Sequence, residues 1–188
     1  MKIGLISDTH IPSMGKEPPS QVIRAFEGVE LILHAGDVYT QSCIEWLERI
    51  APVKSSESWA SSQREAAPRV SRPILVEVDG HNIGLVHELQ ITALADDVFP
   101  GAIGRRLPAG ASLAKSMEDI FGKPVEIVVF GYTHLPMVET HQGILFVNPG
   151  SPTMVGQVRK PGSVAVLELK PEGAEARIIE LAGLGGLA

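Results

Sequence analysis

Five residues able to bind metal stand at comparable places in this chain. Asp8 and His10 follow the apolar run "KIGLIS", Asp37 follows "VELILHAG", His87 follows "NIGLV", and His134 follows "VVFG". Each run reads as a buried strand, and each polar residue sits at or just beyond its end. In an open α/β sheet the carboxyl ends of strands form the crevice where ligands bind, so residues far apart in sequence can meet there. Two carboxylates and three imidazoles make a mixed nitrogen and oxygen set suited to Mn, Fe or Zn rather than Ca. Taken singly, each has an ordinary use: Ser-Asp after a strand makes a cap or turn, and a lone strand-end histidine is usually a hydrogen-bonded core residue. The recurrence of Asp-x-His, Gly-Asp and Gly-x-x-His in one setting argues against that ordinary reading.

The elements that must position these residues alternate in type. "KIGLIS" predicts a strand, and "PPSQVIRAFEG" a helix between a Ser20 cap and Gly28. "VELILHAGD" repeats the strand-then-loop pattern, and "TQSCIEWLERI" a helix after Thr40, with Cys43 and Trp46 on its buried face. Strand, helix, strand, helix, strand implies a parallel sheet with right-handed crossovers. The segment Lys54–Arg72 then lacks periodicity and predicts an irregular loop of roughly eighteen residues, long enough to be functional or mobile. "PILVEVDGHNIGLVHE" predicts a hairpin turning at Asp79-Gly80. Leu89–Gly110 reads as irregular, "ASLAKSMEDIFG" as a helix closed by Gly122, and the remainder as strands with a second hairpin turn at Gln142-Gly143.

At 188 residues with 44% hydrophobic and 20% charged residues, the chain has the composition of one globular domain, 1–188, and not of a disordered segment. A net charge of −6 without a Lys/Arg run argues against an extended nucleic-acid surface or an anionic membrane. The single cysteine leaves no internal disulfide and no Cys-rich zinc spacing. Met1 leads straight into a strand pattern, and no apolar run approaches the ~20 residues that span a bilayer, so a cytoplasmic setting is expected.

"SDTH" (Ser7–His10), "AGD" (Ala35–Asp37), "LVH" (Leu85–His87), "GYTH" (Gly131–His134) and "NPGS" (Asn148–Ser151) follow one another in an order that resembles the calcineurin-like metallophosphoesterases. The resemblance is nearest to the small single-domain phosphodiesterase branch that includes the retromer subunit of this fold. It implies a four-layer α/β/β/α sandwich of two mixed sheets with a two-metal site at one sheet edge. Asp8, His10 and His134 would then hold the first metal, Asp37 would bridge, and His87 would belong to the second. The cofactor implied is a divalent metal (Mn, Zn, Fe or Ni), as one or two ions, and the partner a small phosphate-ester substrate. A homo-oligomer stays open.

Two positions depart from that pattern. Tyr132 replaces the first histidine of Gly-His-x-His, and the Gly-Asn motif is absent from Lys54–Arg72, so a weak or empty second site is expected. Three readings of Tyr132 compete: a phenolate ligand, a neutral phenol bonded to phosphate or to water, or a packing residue beside a lost site. Glu57 is a surrogate carboxylate or, more simply, a solvated loop charge. His34 is a partner behind the ligands or a core histidine, while His81 and His141 read as solvent-facing turn residues. "NPGSP" is an oxyanion-binding turn or a tight structural turn, and Arg105-Arg106 reaches a phosphate or stays exposed. The expected activity is metal-assisted phosphodiester hydrolysis with Asp37, His87 and Tyr132 in catalytic roles. A catalytically silent binding scaffold is the rival, which the two departures favour.

Overall fold

The computed structural model describes residues 1–59, 69–94, 96–155 and 158–185. Strand β1 (Lys2–Ile6) leads to helix α1 (Gln21–Ala25), β2 (Leu31–His34), α2 (Gln41–Glu48) and β3 (Val53–Ser55). A short ribbon of β4 (Glu57–Trp59) and β5 (Arg69–Ser71) follows, then the hairpin β6 (Ile74–Val78) and β7 (His81–Leu85). Helices α3 (Ala102–Arg106) and α4 (Leu113–Phe121) precede β8 (Ile127–Val129), β9 (Met137–His141) and β10 (Ile144–Asn148). A two-residue ribbon, β11 (Met154–Val155) with β12 (Val158–Arg159), leads to the long hairpin β13 (Ser163–Lys170) and β14 (Gly173–Glu180).

The strands form two five-stranded mixed sheets, in the orders β14-β13-β1-β2-β3 and β6-β7-β8-β10-β9. β1, β2 and β3 are parallel neighbours, as are β7, β8 and β10, with antiparallel strands at the margins. Their inner faces share one core: Ile3, Leu5, Leu33 and Leu167 from the first sheet meet Ile83, Leu85, Val129 and Val147 from the second. Strand alternation sends the other side chains outward, where a second core packs Ile6, Ile32 and Val166 under α1 and α2. A third core packs Val128, Phe130 and Phe146 under α3 and α4. The layers run helix, sheet, sheet, helix, as expected from the sequence.

Local signals explain several boundaries. Ser112 caps α4 by accepting the Lys115 N–H, and Gly122 ends it in the left-handed conformation at φ 77°. Asp79-Gly80 and Gln142-Gly143 turn their hairpins with positive φ at both residues. Within Lys54–Arg72 the expectation of an irregular loop needs correction. Its described ends are paired, Glu57 with Ser71 and Ser58 with Val70, because polar residues can form a ribbon whose backbone satisfies itself. Residues 60–68 of that segment lie outside the described residues. Among the described residues no helix is long and apolar enough to cross a membrane.

Candidate metal centre

β1, β2, β7 and β8 are parallel neighbours within their sheets and end at the same edge of the two-sheet core, which is why their following loops meet. Asp8 and His10 leave β1, Asp37 leaves β2, His87 leaves β7 and His134 leaves β8. Asp8 and His87 are buried. Around Asp8 Oδ1 lie His134 Nε2 at 3.3 Å, His87 Nε2 at 3.4 Å and His10 Nε2 at 4.0 Å. Asp37 Oδ2 stands 3.6 Å from His10 Nε2 and 3.9 Å from His87 Nε2. All five residues named from the sequence are therefore brought together.

The donor chemistry fits a cation. Asp8 Oδ1 and His87 Nε2 are buried atoms that make no hydrogen bond among the described residues, a costly state unless an ion completes them. His10 Nε2 and His134 Nε2 approach to 3.2 Å, a separation that suits a hydrogen bond when one of them carries a proton and a shared cation when neither does. Burial holds the His10 imidazole below its ordinary value, against the opposing pull of Asp37 and Asp8, and His134 and His87 add to the fall. A neutral imidazole is the form that ligates metal.

The ligand loops are strained. Among the described residues, Asp8, His10, Asp37, Tyr39, Tyr132 and His134 have φ between 49° and 72°, and the other non-glycine residues with positive φ, Asp79 and Gln142, sit in hairpin turns. Such strain persists only where the surroundings over-determine it, and it clusters at functional sites. Two glycines permit the close approach. A Cβ on Gly36, whose φ is 114°, would meet the His87 ring at 2.6 Å, and one on Gly131 would collide with Ser7 Oγ and Asp8.

A further set of residues, several of them invisible in the sequence, holds the ligands. His10 Nδ1 and the Tyr39 hydroxyl share a hydrogen bond of 2.8 Å, which fixes the ring with Nε2 turned to the cluster. Tyr39 carried no signal beyond lying two residues past Asp37. His34 is fully buried, and Nδ1 accepts the Gly36 N–H, so Nε2 carries the proton and donates to Thr9 Oγ1 at 3.2 Å. Thr9 in turn donates to the Asp37 carbonyl, tying the β1 and β2 loops together. Of the two readings of His34, the partner behind the ligands is the one its bonds support. Cys43 donates to the same Thr9 oxygen, and burial pushes its thiol up to about 11, which leaves it inert.

"NPGS" proves to be a brace. Asn148 Nδ2 donates to the Gly131 carbonyl and Thr133 Oγ1, its Oδ1 accepts the Gly150 N–H, and Ser151 Oγ donates to the Asp8 carbonyl at 2.7 Å. Arg106 pairs with Asp96 and stacks on Phe99, away from the cluster. His141 is paired with Glu139, and His81 contacts the Lys170 carbonyl, so neither simply faces solvent.

A cleft of about 490 Å³ opens beside the cluster, walled by Asp37, His87, Tyr132, Glu57, Glu88 and Pro73. Tyr132 is 47% exposed, with its backbone N–H donating to Asp8 Oδ2 and its ring edge-on to His87. Glu57 corrects the expectation of a solvated loop charge. It is buried, and Oε2 accepts the Val38 N–H at 3.1 Å, because β4 runs directly under the Asp37 loop. Ser56, beside it, keeps a buried hydroxyl without a hydrogen-bond partner among the described residues.

Residues 1–172 match the calcineurin-like phosphoesterase superfamily domain. The chain belongs to that superfamily. A probable metallophosphoesterase of Methanothermobacter thermautotrophicus is 34% identical over 180 residues, covering 95% of this calcineurin-like chain and 92% of the relative. The probable metallophosphoesterase YsnB of Bacillus subtilis is 29% identical over 187 residues, covering 97% and 93%. Among solved structures, Vps29 of Entamoeba histolytica complexed with Zn²⁺ superposes with a TM-score of 0.63 at 18% identity, over 96% of this chain and 99% of that one. An archaeal phosphodiesterase gives 0.59 at 20% identity, over 95% and 100%. At those identities the two structures support the metallophosphoesterase fold. Against the pattern that the resemblance implies, Tyr132 stands where an imidazole was expected, and the Gly-Asn motif expected within Lys54–Arg72 is absent from the sequence.

Proposed function

We propose that the chain hydrolyses phosphate esters, phosphodiesters in preference to monoesters, with the help of bound divalent metal of the Mn, Zn, Fe or Ni type. The observation that carries this reading is the convergence of Asp8, His10, Asp37, His87 and His134 at the mouth of a cleft, as two donor triads, Asp8-His10-His134 and Asp8-Asp37-His87, that share Asp8. Held there, a divalent ion supplies Lewis-acid polarisation of a phosphoryl oxygen and activation of water near neutral pH. Asp37 and His87 reach from the cluster to the cleft, where they orient the ester. The exposed Tyr132 phenol offers a hydrogen bond to a phosphate oxygen on the same wall. Glu57 and Glu88 line that wall, and their charge opposes a monoester's second negative charge more than a diester's single one.

The test is hydrolysis of bis(p-nitrophenyl) phosphate against p-nitrophenyl phosphate, with and without added Mn²⁺. The expected result is metal-dependent turnover favouring the diester, lost by at least a hundredfold in Asp37→Ala. Equal background in wild type and Asp37→Ala would instead support the scaffold reading, to which Tyr132 and the absent Gly-Asn motif lend weight. We further propose that residues 1–188 act as one domain, in the cytoplasm, on a small substrate.

A further inference from the structure

We infer that the hollow between the loop after β1 and the β11–β12 ribbon binds a small phosphate dianion, at a site separate from the metal cluster and its cleft. The hollow has a volume of about 440 Å³, and its walls carry Lys16 from the loop and Arg159 and Lys160 from the ribbon. It shares no lining residue with the cleft beside Asp37 and His87. Among the described residues none of these three cations makes an ion pair, whereas Arg106, Lys115, Lys123 and Lys170 each have a carboxylate partner. One carboxylate, Glu17, also lines the hollow, and its Oε2 accepts the Trp46 Nε1–H at 3.1 Å, which holds it toward α2. Three cations against one carboxylate leave two positive charges in surplus, in a chain whose net charge is −6. Like charges gathered without a counter-charge repel one another, and an anion seated between them removes that cost.

The donor chemistry narrows the ligand. A guanidinium presents a planar fork that fits two oxygens of a phosphate, and two ammonium groups add point charges beside it. The frame around them is tied down. Met14 N–H donates to the His10 carbonyl, Gly15 N–H to the Pro12 carbonyl, and Lys160 N–H to the Thr153 carbonyl. Thr153 is itself buried and donates Oγ1 to the Thr9 carbonyl at 3.1 Å, so the ribbon wall is fastened to the loop that forms the other wall. A Cβ on Gly15 would lie 3.5 Å from Arg159 Nη2, so the guanidinium reaches across to that loop. Met14, Pro19 and Pro161 supply apolar surface for the carbon part of an organic phosphate. The volume is that of a small-molecule site and not of a groove for a polymer. The cleft at the metal cluster carries Glu57 and Glu88 on its wall, so a dianion repelled there is drawn here.

This site does not depend on metal-assisted hydrolysis, and its test leaves metal out. Full-length protein, stripped of metal and dialysed, is titrated calorimetrically with inorganic phosphate and separately with phenyl phosphate. Physiological ionic strength screens diffuse attraction between exposed charges. The expected result is saturable binding at one site per chain, weakened by about tenfold or more in Arg159→Ala and in Lys160→Ala. Asp37→Ala, which alters the metal cluster, should leave that binding unchanged. Equal affinity for the two probes identifies free phosphate as the ligand, and tighter phenyl phosphate identifies a monoester whose carbon part lies on Met14, Pro19 and Pro161. Absence of saturable binding by either probe overturns the inference. So does binding that Arg159→Ala leaves unchanged, or that Asp37→Ala abolishes. Arg159 and Lys160 are exposed, so their variants should fold, as circular dichroism checks. Lys16→Gln, on the opposite wall, gives an independent reading.

Discussion

At the scale of single residues, the centre shows how much of a ligand's quality lies behind it. His10 presents one nitrogen to the cluster while the other is held by a hydrogen bond with the Tyr39 hydroxyl. Tyr39→Phe keeps the ring but removes that hydroxyl, so a ~10-fold to 100-fold loss of Mn²⁺ affinity is expected with little change in melting temperature. Calorimetric titration beside a thermal melt checks both halves, and an unchanged affinity would refute the role. The convergence of the five candidate ligands was legible in the sequence because acidic and imidazole groups after aliphatic runs form a recurrent pattern. Tyr39 was not legible, since a hydrogen bond between loops of two different strands leaves no local periodicity. Glu57 was misread for a related reason. Its polar, serine-rich neighbours suggested solvent, while a parallel strand pairing had placed it beneath the Asp37 turn.

At the scale of elements, the strand-end loops hold their shape by cross-bracing more than by length. The loop after β10 secures two others at once, through Asn148 on Gly131 and Thr133 and through Ser151 on Asp8. Asn148→Ala strips three hydrogen bonds from a buried position, leaving the Gly131 carbonyl and the Gly150 N–H without their partner. A cost of about 1–3 kcal/mol is expected, seen as a lower midpoint in urea, together with weaker Mn²⁺ binding. A loss of stability with metal affinity intact would show that the brace does not reach the ligands. The hairpins and α4 were readable from Asp79-Gly80, Gln142-Gly143 and Gly122, where turn chemistry is local. The β4–β5 ribbon was not, because its strands pair through a long excursion and carry no apolar alternation.

At the scale of the whole molecule, the strand and helix alternation of the first half was legible in the sequence, whereas the two-sheet layering was an expectation that came from the resemblance of the ordered motifs to the calcineurin-like metallophosphoesterases. What pattern alone did not reveal is a pH dependence lodged between the layers. His34 is buried with its imidazole driven down to about 3 by desolvation, which outweighs the nearby Asp8, whereas in the unfolded chain it titrates near 6.5. The folded state therefore binds fewer protons over that interval. Stability is full above about pH 6.5 and drains as pH falls toward 3, by about tenfold in the folding constant for each pH unit. Denaturant midpoints measured between pH 7 and pH 4 should show this slope, and His34→Gln should lower stability at neutral pH while flattening the slope by about one proton. An unaltered slope in the variant would place the acid sensitivity elsewhere.

The left-handed backbone at Asp8, His10, Asp37 and His134 sets robustness and capture against each other at the same positions. Each donor is mounted on a conformation that only glycine adopts freely, so the one substitution that would ease the chain also deletes the group that grips the cation. The backbone conformation that aims these side chains at one another is therefore held by the loops around them, at the positions where it costs the chain most.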